Sequence, residues 1–82
     1  MHEFGIATGI LDAVQKEAAM HRPARAVKVG VRIGAMAGID PESLSFCFEA
    51  LVKGTGLEPL QLAIEPGPAD ELEFAYLELE QP

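Results

Sequence analysis

The stretch AVKVGVRIG, residues 26–34, alternates apolar residues with polar or small ones without a break. This pattern is typical of a β-strand that buries one face only, because successive side chains point to opposite sides of a strand. Val27, Val29, Val31 and Ile33 are expected on the buried face. A second layer of structure must cover that face, while the opposite face stays in water.

Helical spacing of apolar residues on both sides of this strand indicates what the second layer is. From Phe4 to Met20 the apolar residues follow one helical stripe, and Pro23 ends the helix. A second helix is predicted to begin at the N-cap Asp40 and to stop at Gly54. The positions expected to face the core are Ile6, Ala7, Ile10, Leu11, Val14, Ala18, Leu44, Phe48, Leu51 and Val52, with Cys47 close to them.

Two further segments predict strands. Residues 60–65 alternate with Leu60, Leu62 and Ile64 inward, whereas ELEFAYLELE, residues 71–80, changes phase midway. A regular strand cannot bury both of its apolar sets on one face. Either a β-bulge near Ala75–Tyr76 shifts the phase, which we favour, or Phe74 and Tyr76 cover the opposite face. The two sets are Leu72, Phe74 and Tyr76, then Leu77 and Leu79.

The elements therefore follow the order α-β-α-β-β. We expect an α/β (α+β) fold, a two-layer sandwich in which a three-stranded mixed sheet carries two helices on one face. If the strands at 27–34 and 60–65 are parallel, their crossover should be right-handed. Residues 1–82 are expected to form a single domain, with no internal repeat.

The charge and the cysteine content exclude several classes of function. The net charge is −7, with 13 acidic and 6 basic residues, which disfavours nucleic acid as a partner because phosphates need clustered Lys and Arg. Cys47 is the single cysteine, so neither an internal disulfide nor a cysteine-rich zinc site is expected. With no signal peptide and no membrane-spanning run in view, we expect a cytoplasmic protein.

Four segments resemble the HypA/HybF family. They are MHEFGIATGIL, VKVGVRIGAMAGIDPESLSFCFEALVKGTGLE, LQLAIE and the closing strand DELEFAYLELE. The resemblance implies a nickel-binding metallochaperone, not an enzyme, that serves [NiFe]-hydrogenase maturation and in some organisms urease. The partners it implies are a HypB-like nickel GTPase and the hydrogenase large subunit. Independently of the resemblance, the open edges of a three-stranded sheet, or Phe74 and Tyr76, suggest a homodimer as a further hypothesis.

By this resemblance, the nickel ligands would be Met1, His2 and Glu3. The chemistry of these residues is consistent with such a site, because Ni(II) favours square-planar nitrogen ligands. A histidine at position 2 offers the terminal amine, its own amide nitrogen and its imidazole, and the amide of Glu3 can be the fourth ligand. The alternative is fewer amides, with the Glu3 carboxylate and water in their place. Either set needs an unblocked amine at Met1.

The chain differs from the family in one region. Family members carry a zinc-binding insertion with two CxxC pairs between the last two strands, whereas EPGPADE bridges that position here. We therefore expect a short turn near residues 66–70 in place of the zinc domain, and no bound zinc. The difference leaves an alternative function open, a metal-independent docking or adaptor protein of hydrogenase assembly.

The remaining reactive side chains are expected to be structural. His21 follows the first helix and is interpreted as a surface residue. Cys47 lies between two phenylalanines, which predicts a buried, unreactive thiol. Glu42 and Glu49 are interpreted as a helix-capping and a surface residue. Because no acid, base and nucleophile converge in the sequence, catalysis is not expected.

Overall fold

The computed structural model describes residues 2–82. Helix α1 spans His2–Ala19, strand β1 Arg25–Gly34, helix α2 Pro41–Val52, strand β2 Gln61–Gly67 and strand β3 Leu72–Glu80. This is the predicted order α-β-α-β-β, with small shifts in the element boundaries. Asp40 is the N-cap of α2, as predicted: its carboxylate accepts the backbone N–H of Glu42 and the hydroxyl of Ser43.

The three strands form one mixed sheet in the order β2-β1-β3. Strand β1 pairs in parallel with β2 and antiparallel with β3. Both helices pack on one face, so the predicted two-layer architecture is confirmed. The core between the layers consists of Ala7, Ile10, Leu11, Val14, Ala26, Val29, Val31, Ile33, Leu44, Cys47, Phe48, Val52 and Leu60.

Two register shifts alter the simple alternation of the strands. In β3, Tyr76 pairs with Gly30 and Phe74 with Val31, so Ala75 is left over as a bulge. This confirms the predicted bulge, and it places Phe74 on the helix side and Tyr76 on the opposite face. Gly30 is where the Tyr76 ring rests, because a Cβ on Gly30 would occupy the same space as the ring.

The second shift corrects one prediction. In β1, Ala26 pairs with Leu79 and Lys28 with Glu78, so Val27 has no partner. Ala26 is therefore buried in the core at 5% exposure, whereas Val27, expected inward, is only half-buried. The bulge breaks the alternation at this end of the strand, and the smaller residue takes the inward position.

A short connection joins β2 to β3 across the end of β1. Residues 68–71 form it, and the backbone N–H of Gly34 donates to the carbonyl of Glu71 at 2.8 Å. The N–H of Met36 donates to the carbonyl of Ala69 at 2.9 Å. The connection thereby holds the start of the loop between β1 and α2, residues 35–40, which we call the β1–α2 loop.

Candidate metal site at the start of helix α1

His2 is the first residue of α1, and its imidazole reaches the β1–α2 loop. Its Nε2 lies 2.9 Å from the carbonyl oxygen of Gly38. Because a carbonyl oxygen only accepts, Nε2 carries the proton and donates it, which leaves the lone pair of the neutral ring on Nδ1. The side chain is 63% exposed. Nδ1 is therefore the nitrogen of His2 that is available to a metal ion.

Glu3 contacts the same loop from the first turn of α1. Its Oε2 accepts the backbone N–H of Asp40 at 3.1 Å and lies 3.7 Å from Nε2 of His2. The N–H of Asp40 and then the N–H of Glu3 itself hold the pKa of the Glu3 carboxyl below its ordinary value. The side chain is only 12% exposed. Glu3 is thus an ionised anchor between α1 and the N-cap of α2.

The β1–α2 loop presents one acceptor and one donor to these two side chains. Gly38 has a φ of +73°, in the left-handed region that side chains rarely adopt. The carbonyl of Gly38 meets the imidazole of His2, and two residues later the N–H of Asp40 meets the carboxylate of Glu3. The carboxylate of Asp40 itself caps α2. The two hydrogen bonds fix the first turn of α1 against the loop.

The three expected ligand residues are consecutive in sequence, and the structure describes two of them. His2 and Glu3 lie side by side, whereas Met1 lies outside the described residues. Within residues 2–82, no group of three or more His, Cys, Asp or Glu side chains is placed to hold a metal ion. Sequence reasoning did not assign a role to Gly38, and its one local signal is a glycine shortly before a helix N-cap.

The other candidate residues lie away from this site. His21 is exposed, and its Nε2 lies 3.6 Å from Oε2 of Glu17. It follows the far end of α1, about 27 Å along the axis at 1.5 Å per residue. Cys47 is buried at 8% exposure, as predicted, and Glu42 and Glu49 are exposed on α2. In the described part of the chain, no helix has the length and apolarity needed to cross a membrane.

The fold and this site define a small α+β domain with an exposed imidazole at its first helix. Among solved structures, the fold is similar to the solution structure of the Ni metallochaperone HypA from Helicobacter pylori. The TM-score is 0.70 at 15% sequence identity, over 93% of this chain and 72% of that one. At this identity the similarity establishes the architecture.

Sequence comparison establishes the family. Residues 1–71 match the sequence model of the family described as hydrogenase/urease nickel incorporation, metallochaperone, hypA. The chain belongs to the HypA family, as the resemblance implied.

Curated relatives support the same assignment. The hydrogenase maturation factor HypA of Chlorobium limicola is 48% identical over 65 residues, 79% of this chain and 56% of that protein. The factor of the same name from Azotobacter chroococcum is 42% identical over 64 residues, 78% of this chain and 57% of that protein. The factor from Streptomyces avermitilis is 41% identical over 69 residues, which are 83% of this chain and 53% of that protein. The matched regions cover little more than half the length of these relatives.

Proposed function

We propose that this chain is a nickel-binding metallochaperone domain that holds Ni(II) at Met1, His2 and Glu3. The observation that carries the proposal is the hydrogen bond from Nε2 of His2 to Gly38. It leaves Nδ1 as the ring nitrogen for the metal. When Nδ1 and the amide nitrogen of His2 bind the same metal ion, they form a small chelate ring with it. The amide nitrogen of His2 and the terminal amine of Met1 form a second ring in the same way. These three nitrogens occupy three positions of the planar set that Ni(II) favours, and the fourth, opposite the His2 amide, is left to the Glu3 carboxylate or water.

The position of the His2 amide at the start of α1 supports this ligand set. The first N–H groups of a helix have no carbonyl partner within the helix. Deprotonating the amide of His2 therefore breaks no helical hydrogen bond. The carboxylate of Glu3 already accepts the N–H of Asp40. In the metal-free protein this engagement gives the carboxylate the role of an anchor.

The biological role follows from the family and is part of the proposal. The chain binds nickel without catalysing a reaction and delivers it for [NiFe]-hydrogenase maturation in the cytoplasm. Its proposed partners are a HypB-like nickel GTPase and the hydrogenase large subunit. An exposed site at the start of a helix suits delivery, because a receiving protein can reach its ligands. We also propose that no zinc is bound, which elemental analysis of the purified protein checks.

Nickel binding by His2 is tested in untagged protein with a free Met1 amine. Calorimetry should give one Ni(II) per chain for the parent and none for His2→Ala. The matched control is His21→Ala, which removes the histidine at the other end of α1 and should leave binding unchanged. A Gly-Ser extension before Met1 should also abolish binding, because it removes the amine. The proposal fails if His2→Ala binds nickel as tightly as the parent.

A metal-independent adaptor is the second candidate, and one surface favours it. Leu72 and Phe74 are 46% and 37% exposed. They line an apolar groove of about 290 Å³ with Ile6 and Ile10 of α1. Capture of a HypB-like GTPase by the His2→Ala variant without nickel would favour this role. Loss of capture on removal of nickel or of His2 would favour the metallochaperone.

A further inference from the structure

The β1–α2 loop meets the candidate site with two hydrogen bonds of opposite direction. The Gly38 carbonyl accepts from Nε2 of His2, and the Asp40 N–H donates to Oε2 of Glu3. These residues are 36 and 37 positions away from their partners in sequence. Hydrogen bonds hold both ends of the loop. At one end the backbone N–H of Met36 donates to the carbonyl of Ala69, and at the other the carboxylate of Asp40 caps α2. The imidazole therefore contacts a loop that hydrogen bonds hold at both ends.

We infer that Gly38 is a positioning residue that selects the tautomer of His2 and so favours metal ions with planar nitrogen coordination. The inference rests on the proposed function for its consequence in nickel binding. A histidine without such a partner exposes either nitrogen, and both tautomers are populated. The Gly38 carbonyl stabilises the Nε2–H form, so that Nδ1 points away from the loop with its lone pair available. Hydrogen-bond partners of this kind, which do not themselves touch the metal, fix the orientation and tautomer of ligating histidines.

The same contact disfavours tetrahedral ions. A metal bound through Nε2 would displace the proton that Gly38 accepts and lose this hydrogen bond. Coordination through Nδ1 keeps the bond and brings the backbone amide of His2 and the terminal amine into the ligand set, which suits Ni(II) better than Zn(II). The left-handed φ of Gly38 aims the carbonyl, so the backbone conformation at this residue is what the specificity depends on.

Three variants separate positioning from general stability. Gly38→Ala disfavours the left-handed conformation, whereas Gly38→Asn tolerates it. The matched control is Gly54→Ala, because Gly54 has a similar φ of +80° and, like Gly38, has no atom within 4 Å of an added Cβ. Gly54 follows α2, at the opposite end of that helix from Asp40. Both alanine variants should lose similar stability in urea unfolding.

The first readout is the tautomer of His2 in metal-free protein, measured from its ring nitrogens by NMR. The parent and Gly38→Asn should show the Nε2–H form, and Gly38→Ala a mixture. The second readout is metal affinity. Gly38→Ala should bind Ni(II) about tenfold more weakly, at the lower end of the losses seen when the hydrogen-bond partner of a metal-binding histidine is removed, and discriminate less against Zn(II). Gly38→Asn and Gly54→Ala should bind nickel as the parent does.

A chemical variant tests the contact without altering the loop. Ligation of two peptides at Cys47 allows Nε2-methylhistidine at position 2, which removes the donor and keeps Nδ1. It should weaken nickel binding about tenfold, as Gly38→Ala does, because both changes remove the same hydrogen bond. An Nδ1–H tautomer in the parent, or unchanged affinity of the methylated chain, overturns the inference. If His2→Ala binds nickel normally, the proposed function fails, while the tautomer measurement still decides whether Gly38 positions the imidazole.

Discussion

The carboxylate of Glu3 accepts the backbone N–H of Asp40 at 3.1 Å, and this bond ties the first turn of α1 to the N-cap of α2. A charged acceptor makes a stronger hydrogen bond than a neutral one. Glu3→Gln should therefore destabilise the metal-free protein at neutral pH, even though an amide oxygen can still accept. Urea unfolding followed by circular dichroism measures the difference. Glu49→Gln, an exposed change on α2, is the control and should have little effect.

The pKa of Glu3 gives this effect a pH dependence of known sign. Its folded-state pKa lies below the ordinary value of 4.5. Ionised Glu3 then stabilises the fold above the unfolded-state pKa, and this stability is lost as the pH falls through the folded-state pKa. The stability difference between the parent and Glu3→Gln should shrink as the pH is lowered below about 4.5. A difference that stays constant down to acid pH would contradict the assigned role of the Glu3 anchor.

The Tyr76 ring occupies the space above Gly30, on the sheet face away from the helices. A Cβ at Gly30 would overlap the ring. Gly30→Ala should therefore cost about 1–3 kcal/mol of unfolding free energy, the usual range for overpacking. In Tyr76→Ala protein the same change should cost much less, because the ring is gone. A double-mutant cycle by urea unfolding measures this coupling, and strict additivity would exclude the contact.

Gly9, unlike Gly30, has open space where a side chain would be added. It lies inside α1, and nothing stands within 4 Å of an added Cβ. Gly9→Ala should raise the unfolding free energy by about 0.5–1 kcal/mol, because alanine loses less backbone entropy in a helix. Thermal and urea unfolding check the gain. A loss of stability would mean that the surface of α1 at Gly9 is less open than the structure shows.

Local pattern was sufficient for the elements of this fold but not for their pairing. Alternation and helical spacing predicted both helices, all three strands and the bulge at Ala75, because each depends on which side of one segment is apolar. The strand order β2-β1-β3 depends on contacts between distant segments, which periodicity does not report. Val27 shows the limit within one strand: perfect alternation placed it inward, and the pairing with β3 placed Ala26 there instead.

The candidate site, too, could be predicted from the sequence only in part. His2 and Glu3 were named from the resemblance and the chemistry of their donors. Their partners, Gly38 and the N–H of Asp40, are backbone groups of a distant loop. Backbone groups carry no residue-specific signal, so the sequence could not reveal these contacts. The anchoring role of Glu3 is consequently visible only in the folded chain.

Phe46 and Phe48 are near neighbours on α2 with opposite environments. Phe48 is 1% exposed in the core, and Phe46 is 72% exposed on the outer side of the helix. Phe48→Ala should cost about 3–5 kcal/mol, the range for buried phenylalanine, which takes most of the stability of a domain this small. Phe46→Ala should change stability by about 0.5 kcal/mol or less. Urea unfolding of both variants compares them directly, and similar losses would mean that the outer face of α2 is covered in solution.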